Sequence, residues 1–269
     1  MAIYDYQGNV VQTGGGTASA IDYDRNVKAV AHRGYSTTAP ENTLPAYKLA
    51  KQNGFFYVET DVSFTSDGVA VCLHDATIDR TSNGSGNIGS LTFNEVREYD
   101  FGSWKSSTYA GTQIPSFEEF VLLCRNIGLH PYIELKSNGG YTQAQIEGLV
   151  DMVNTLGMKG KVSWISFSSS FLTYVKNYDA YARLGYVVNS VSASVITTAQ
   201  GLQLSTNDVF VDSGQSGDAN CELCIDGGLP MEVWTVDNAT TIQNMNAYIT
   251  GVTSNSLIAG QILYNANIN

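Results

Sequence analysis

Glu59 and Asp61 stand two residues apart in the run Tyr57–Val62 (YVETDV), whose β-branched composition predicts a strand. Two residues is the repeat of a strand, so both carboxylates point to the same face. Glu134 and Lys136 repeat that spacing in His130–Lys136. If both pairs face one cavity, three carboxylates meet near one point. Close carboxylates raise one another's pKa and cannot all stay ionised without a cation. A hard divalent ion with oxygen ligands, Mg²⁺ or Ca²⁺, resolves this. Arg33 and Lys136 then set positive charge beside it, the combination that stabilises a phosphodiester as charge builds on its oxygens. His32 and His74, two of only three histidines, titrate near neutral pH and suit general acid and base work. Taken singly these signals are weak: a Glu-x-Asp pair is more often a solvated strand edge, and Lys136 could simply pair with Glu134 or Glu59. Their recurrence at successive strand ends is what gives them weight.

The elements that must position these groups alternate along the chain. Strands are expected at Lys28–Gly34, Tyr57–Val62, His130–Lys136, Val162–Phe167, Ala182–Val188, Asp208–Asp212, Met231–Val236 and Ile249–Thr253. Helices are expected at Thr43–Asn53 (Asn42 as cap, Gly54 as stop), Pro115–Gly128, Thr142–Leu156, Ser170–Asn177, Val195–Leu202, Ala219–Asp226 and Ala239–Tyr248. Eight strands with intervening helices predict a parallel α/β sheet closed as a (β/α)8 TIM barrel, whose chemistry sits at the C-terminal strand ends. Residues 1–27, with Gly14–Gly16, read as an N-terminal arm or linker, and 28–269 as the barrel domain. Residues 64–114, with a strand at Val69–His74, a turn-rich Thr81–Asn87 and a short helix at Phe93–Tyr99, read as an insertion after the second strand.

These residues carry a resemblance. Ala31-His-Arg-Gly, Ala39-Pro-Glu-Asn-Thr, Glu59-Thr-Asp-Val, Ser66-Asp-Gly-Val, Leu73-His-Asp, Asp79-Arg-Thr, Ile114-Pro-Ser-Phe-Glu-Glu, Ile133-Glu-Leu-Lys and Trp234-Thr-Val follow in the order of the glycerophosphodiester phosphodiesterase family, which the chain resembles over roughly 28–250. The resemblance implies a TIM barrel with an insertion after strand two and a divalent metal on Glu59, Asp61 and Glu134. It implies His32 as base, His74 as acid, Arg33 and Lys136 near the phosphate, and Trp234 against the alcohol of the substrate. It implies hydrolysis of a small-molecule glycerophosphodiester, in lipid and glycerol metabolism, to an alcohol and glycerol phosphate. The attacking group is water or the substrate's own glycerol hydroxyl. Glu41 matches a family motif, and bracing the first loop is its plainest role. Two positions depart from the family: Asp237 stands where Asn is common, and Gly251-Val-Thr-Ser-Asn ends without the usual acid. The rim is then expected to be less negative there, with consequences for substrate choice.

Composition bounds the alternatives. The formal net charge of −11 argues against nucleic acid and anionic membranes as partners. No apolar run reaches the roughly 18 residues of a membrane span. The first residues show no signal peptide; a complete chain would be cytoplasmic, one that has lost a leader extracellular or surface-associated. Four cysteines are too few for a disulfide scaffold, the Cys221–Cys224 CxxC lacks a second pair for zinc, and Cys72 and Cys124 read as buried fillers. Tyr35, Tyr99, Phe101, Trp104 and Tyr109 flank the expected mouth, with packing as their plainest role. A phospholipase D-like enzyme, a hydrolase of polymeric teichoic-acid-type diesters, and a non-catalytic surface or phage-tail binding module are the competing readings.

Overall fold

A computed structural model describes residues 2–4, 10–13, 27–136, 140–202 and 209–256. Most of the expected arm lies outside the described residues; β1 (Ala2–Tyr4) and β2 (Val10–Thr13) pair antiparallel as a separate two-stranded sheet. The remaining elements are β3 (Lys28–Ala31), α1 (Leu44–Gln52), β4 (Tyr57–Phe64), β5 (Ala70–Cys72), α2 (Phe93–Val96), α3 (Phe117–Ile127), β6 (His130–Leu135), α4 (Gln143–Thr155), β7 (Ser163–Ser166), α5 (Ser169–Tyr178), β8 (Arg183–Val188), α6 (Ala193–Leu202), β9 (Val209–Ser213), α7 (Asp218–Gly227), β10 (Met231–Val233), α8 (Ala239–Gln243) and β11 (Ile249–Ser254). Eight strands pair in parallel around the order β3-β4-β6-β7-β8-β9-β10-β11, and β11 returns to β3 through Gly251↔Lys28 and Ser254↔Ala31. The sheet is a closed (β/α)8 barrel, as the alternation predicts.

Strand periodicity divides the core into two layers. Ala29, Ala31, Val58, Val62, Ile133 and Leu135 point outward and meet buried helix residues such as Tyr47, Phe120 and Val150. Val30, Tyr132, Ile165, Val187 and Phe210 fill the barrel interior. At the N-terminal end of the barrel, Glu232 is buried and held by Lys28 Nζ at 2.9 Å and Arg183 at 2.6 Å. Burial alone would raise its carboxyl; the two cations outweigh this and hold it at about 2.

The helices begin where local chemistry dictates. Ser116 caps α3 in a capping box with Glu119, and Gly128 ends it in the left-handed region. Helix α1 corrects one expectation: Thr43 is its cap, not Asn42. Thr43 has the extended backbone a cap requires, whereas Asn42 has φ +55 and turns its amide toward the site. Helix α8 is shorter than expected. Asn246, just beyond it, spends its side chain on Tyr248 N and Asp218, which competes with helix continuation.

Between β4 and α3, β5 pairs antiparallel with the far end of β4. This segment has its own core of Val71, Leu73, Ile78, Ile88, Val96, Phe101 and Ile114, with Tyr99 against it. This core matters because it holds Leu73, and the chain runs from it directly into His74. All four cysteines are buried and free, and Cys221 Sγ lies 3.7 Å from Met231 Sδ. Among the described residues, no helix is long and apolar enough to cross a membrane.

Candidate active site

The C-terminal ends of β3, β4 and β6, with the loop after β5, bring the expected residues together. Glu59, Asp61 and Glu134 are buried, and one oxygen from each lies within 4.8 Å of the others. Strand register sets this: Asp61 pairs directly with Glu134 across β4 and β6, so both project into the barrel mouth. Lys136 Nζ sits 2.9 Å from Glu134 and 3.2 Å from Asp61. Tyr141 fixes the end of β6, since its hydroxyl donates to Val62 O and accepts from Lys136 N.

The three carboxyls are not equivalent. Burial and the neighbouring Asp61 push Glu59 well above the usual carboxylate range, and the same causes push Glu134 up to about 7. Burial works against Asp61 too, but Arg33 and Lys136 override it and hold it at about 2. Glu59 Oε1 is buried with no hydrogen-bond partner. An unpaired buried carboxylate oxygen beside two further carboxylates is a costly arrangement for a metal-free protein. Oxygens bonded to one hard cation at about 2.0–2.6 Å lie within about 5 Å of each other. The donor set and its spacing therefore fit a divalent ion.

A second set of groups braces the first. Arg33 has φ +56, an uncommon backbone for a non-glycine residue, and its N–H donates to Glu59 Oε2 at 2.9 Å. Its side chain bonds Glu41 at 2.8 Å and lies 3.2 Å from Asp61. Glu41 also receives both terminal nitrogens of Arg80 at 2.8 Å, and Arg80 Nε reaches Asp75 at 2.7 Å. Asp75 in turn holds His74 Nδ1 at 2.6 Å. One charged chain thus runs from His74 through Asp75, Arg80, Glu41 and Arg33 to Asp61. Asn42 completes the support: its Nδ2 donates to Asp61 at 2.9 Å, while its Oδ1 accepts from Tyr47 and Thr60.

His32 Nδ1 meets Asn255 Oδ1 at 2.7 Å, and its Nε2 faces Glu59 at 3.9 Å. Burial, then Arg33, holds its pKa below the ordinary value. The two departures noted in the sequence are partners: Asn255 donates to Asp237 from both its backbone and its amide, each at 2.7 Å. The rim therefore keeps one carboxylate there, on the other residue of the pair. Trp234 lies at the mouth, its Nε1 donating to Asp212 O and its ring edge-on to Phe167 at 5.4 Å.

Among the residues to which sequence reasoning gave no part in the site, Arg80, Asn42 and Asn255 make direct contacts within it. Arg80 stood in a quoted motif, but nothing in its spacing shows that it shares Glu41 with Arg33. Asp212, in the sequence only the end of an expected strand, is buried in the barrel, and burial together with Glu232 pushes its carboxyl well up. Of the aromatics expected to flank the mouth, Phe101 is packed in the core, while Trp104 is exposed.

A family model described as the glycerophosphoryl diester phosphodiesterase family matches residues 32–257. Glycerophosphodiester phosphodiesterase 1 of Mus musculus is 39% identical over 125 residues, 46% of this chain; the chain spans only 38% of that relative's length. A glycerophosphodiester phosphodiesterase of Caldanaerobacter subterraneus is 29% identical over 80% of this chain and 88% of its own. Among solved structures, a glycerophosphodiester phosphodiesterase from Agrobacterium tumefaciens superposes with a TM-score of 0.72 at 26% identity, covering 87% of this chain and 99% of its own. An Oleispira antarctica phosphodiesterase in complex with the product sn-glycerol-3-phosphate superposes at 0.75, with 25% identity, 90% of this chain and 97% of its own.

Proposed function

Because the chain belongs to the glycerophosphoryl diester phosphodiesterase family, matching it over residues 32–257, we propose that it hydrolyses glycerophosphodiesters to an alcohol and glycerol phosphate with a divalent metal, Mg²⁺ or Ca²⁺. The observation that carries this reading is the buried cluster of Glu59, Asp61 and Glu134 beside Arg33, Lys136 and two histidines. When bound by the three carboxylates, the metal supplies Lewis-acid charge for the non-bridging phosphoryl oxygens.

The protein's own groups do the rest. Arg33 has Nε on Asp61 and NH1 on Glu41, which leaves its NH2 corner to receive a phosphoryl oxygen. Lys136 adds a second positive charge on the Glu134 side. His32, neutral because it is buried beside Arg33, takes a proton at Nε2 from the attacking hydroxyl, whether water or the neighbouring glycerol hydroxyl. The Asp75 carboxylate only accepts, so His74 Nδ1 carries a proton and Nε2 is the nitrogen that delivers one to the leaving alkoxide. Trp234 and Phe167 offer an aromatic wall for the alcohol portion. The product of the Oleispira antarctica neighbour, sn-glycerol-3-phosphate, is the one this reading expects here.

The test is product identification by ³¹P NMR with glycerophosphocholine, glycerophosphoethanolamine and a glycerol-phosphate polymer as substrates. Glycerol phosphate with free choline or ethanolamine is expected. Release of phosphocholine, or no turnover of any of the three, would contradict the proposal; turnover of the polymer alone would assign the chemistry to a polymeric diester.

A further inference from the structure

We propose that Asp237, acting through Asn255, fixes the tautomer of His32 and is thereby a positioning residue for the catalytic base. Its catalytic meaning rests on the function proposed above; the structural claim does not. An Asn amide has one end that only accepts and one that only donates, and a carboxylate only accepts. Asp237 Oδ2 lies 2.7 Å from the Asn255 amide, so the end facing it must be Nδ2. Asp237 cannot turn away, because its Oδ1 is held by the Asn255 backbone N–H at 2.7 Å and the Ser254 hydroxyl at 2.8 Å. The other end of the Asn255 amide, Oδ1, then faces His32 Nδ1 at 2.7 Å and also accepts from Ser36 Oγ at 3.2 Å. An oxygen that only accepts requires a proton on His32 Nδ1. That proton is present in both the neutral and the charged ring, so the assignment does not depend on titration. In the neutral ring the lone pair is left on Nε2, the nitrogen on the Glu59 side.

The isosteric change Asp237→Asn should reverse this. The fixed backbone N–H of Asn255 claims the one accepting oxygen of the new amide. Its NH2 end then faces Asn255, whose amide must flip to offer oxygen. The flip presents Nδ2 to His32 Nδ1, which becomes an acceptor, and the ring proton moves to Nε2. Adding Asn255→Asp restores the original polarity: the amide at 237 donates to the carboxylate at 255, which accepts from His32 Nδ1–H.

The test is two-bond ¹H–¹⁵N correlation spectra of the ring nitrogens, with His32 assigned from His32→Gln, alongside steady-state kinetics. The expected results are Nδ1–H in the parent protein, Nε2–H in Asp237→Asn, and Nδ1–H again in the double variant. The single variant should lose kcat roughly ten- to hundred-fold with little change in KM, and the double variant should recover most of it. An Nε2–H tautomer in the parent or the double variant, or an unchanged tautomer in Asp237→Asn, would overturn the proposal. If Asp237→Asn does not fold, Asp237→Ala decides it: without the carboxylate that orients the Asn255 amide, His32 should no longer be exclusively Nδ1–H, and an unchanged Nδ1–H tautomer would overturn the proposal. The spectra need no substrate, so Nδ1–H in a protein that hydrolyses no diester would count against the phosphodiesterase reading alone.

Discussion

At the scale of single residues, the chemistry divides between groups that touch the reacting atoms and groups that hold them. His32 and His74 differ in their second partner: an amide oxygen for His32, a carboxylate for His74. In the proposed mechanism that difference separates base from acid without any difference in residue type. His32→Ala and His74→Ala should each lower kcat on glycerophosphocholine by about 10²–10⁴-fold, the range for loss of a general acid or base. His74→Ala should be spared most on a substrate with a good leaving group, such as a nitrophenyl diester, which needs no proton. Equal losses for both variants on that substrate would contradict the assignment, and the two rates measured side by side decide it. The convergence of Glu59, Asp61, Glu134 and His32 was legible from type and spacing, because strand ends of a barrel converge; His74 joins them from the loop after β5. Asn42 was not: its role depends on a positive φ that turns its amide toward Asp61, where helix-start logic makes it a cap. Nor was the Asp237–Asn255 contact, which joins loops after two different strands.

At the scale of elements, the loop between β3 and α1 holds the most. Arg33, Gly34, Glu41 and Asn42 all lie in it, and it must fold tightly for both Arg33 and Glu41 to reach the site. Gly34 has φ +81, and a Cβ there would come within 2.7 Å of Ala46 Cβ and 2.8 Å of its backbone carbon. Gly34→Ala should therefore destabilise the protein by roughly 1–3 kcal/mol through strain and overpacking. Denaturant unfolding measures this, and metal affinity should fall with it because Arg33 N–H is displaced from Glu59. A variant as stable as the parent would show that α1 can move aside. Strand positions were legible because barrel strands are buried on both faces, as β7 and β9 are throughout, and so stand out as short β-branched, mostly apolar runs. Helix ends were less so. Caps depend on which of two adjacent polar residues takes the extended backbone, as Thr43 and Asn42 show, and α8 ends where Asn246 diverts to other partners.

At the scale of the whole molecule, the barrel concentrates buried acid at its mouth and stability should register it. Free glutamate titrates near 4.5, whereas Glu134 is raised to about 7 and Glu59 moves the same way. The native state thus keeps protons that the unfolded chain has already released between those values. This part of the stability of chelated protein should fall as pH rises through that window. A divalent ion replaces the protons, so the rise in Tm on adding Mg²⁺ or Ca²⁺ should grow over the same range. A metal effect on Tm that shrinks with rising pH would contradict the assigned ligands. If this acidic cluster makes the barrel a metal-dependent phosphodiesterase, as we propose, turnover must follow the ion. The most direct test is the rate of glycerophosphocholine hydrolysis by chelated protein titrated with Mg²⁺ or Ca²⁺, with Glu59→Gln in parallel. No turnover is expected in chelator, with recovery as the ion is added and little recovery in Glu59→Gln at any concentration that saturates the parent. Undiminished hydrolysis in chelator, with Glu59→Gln as active as the parent, would contradict the proposal.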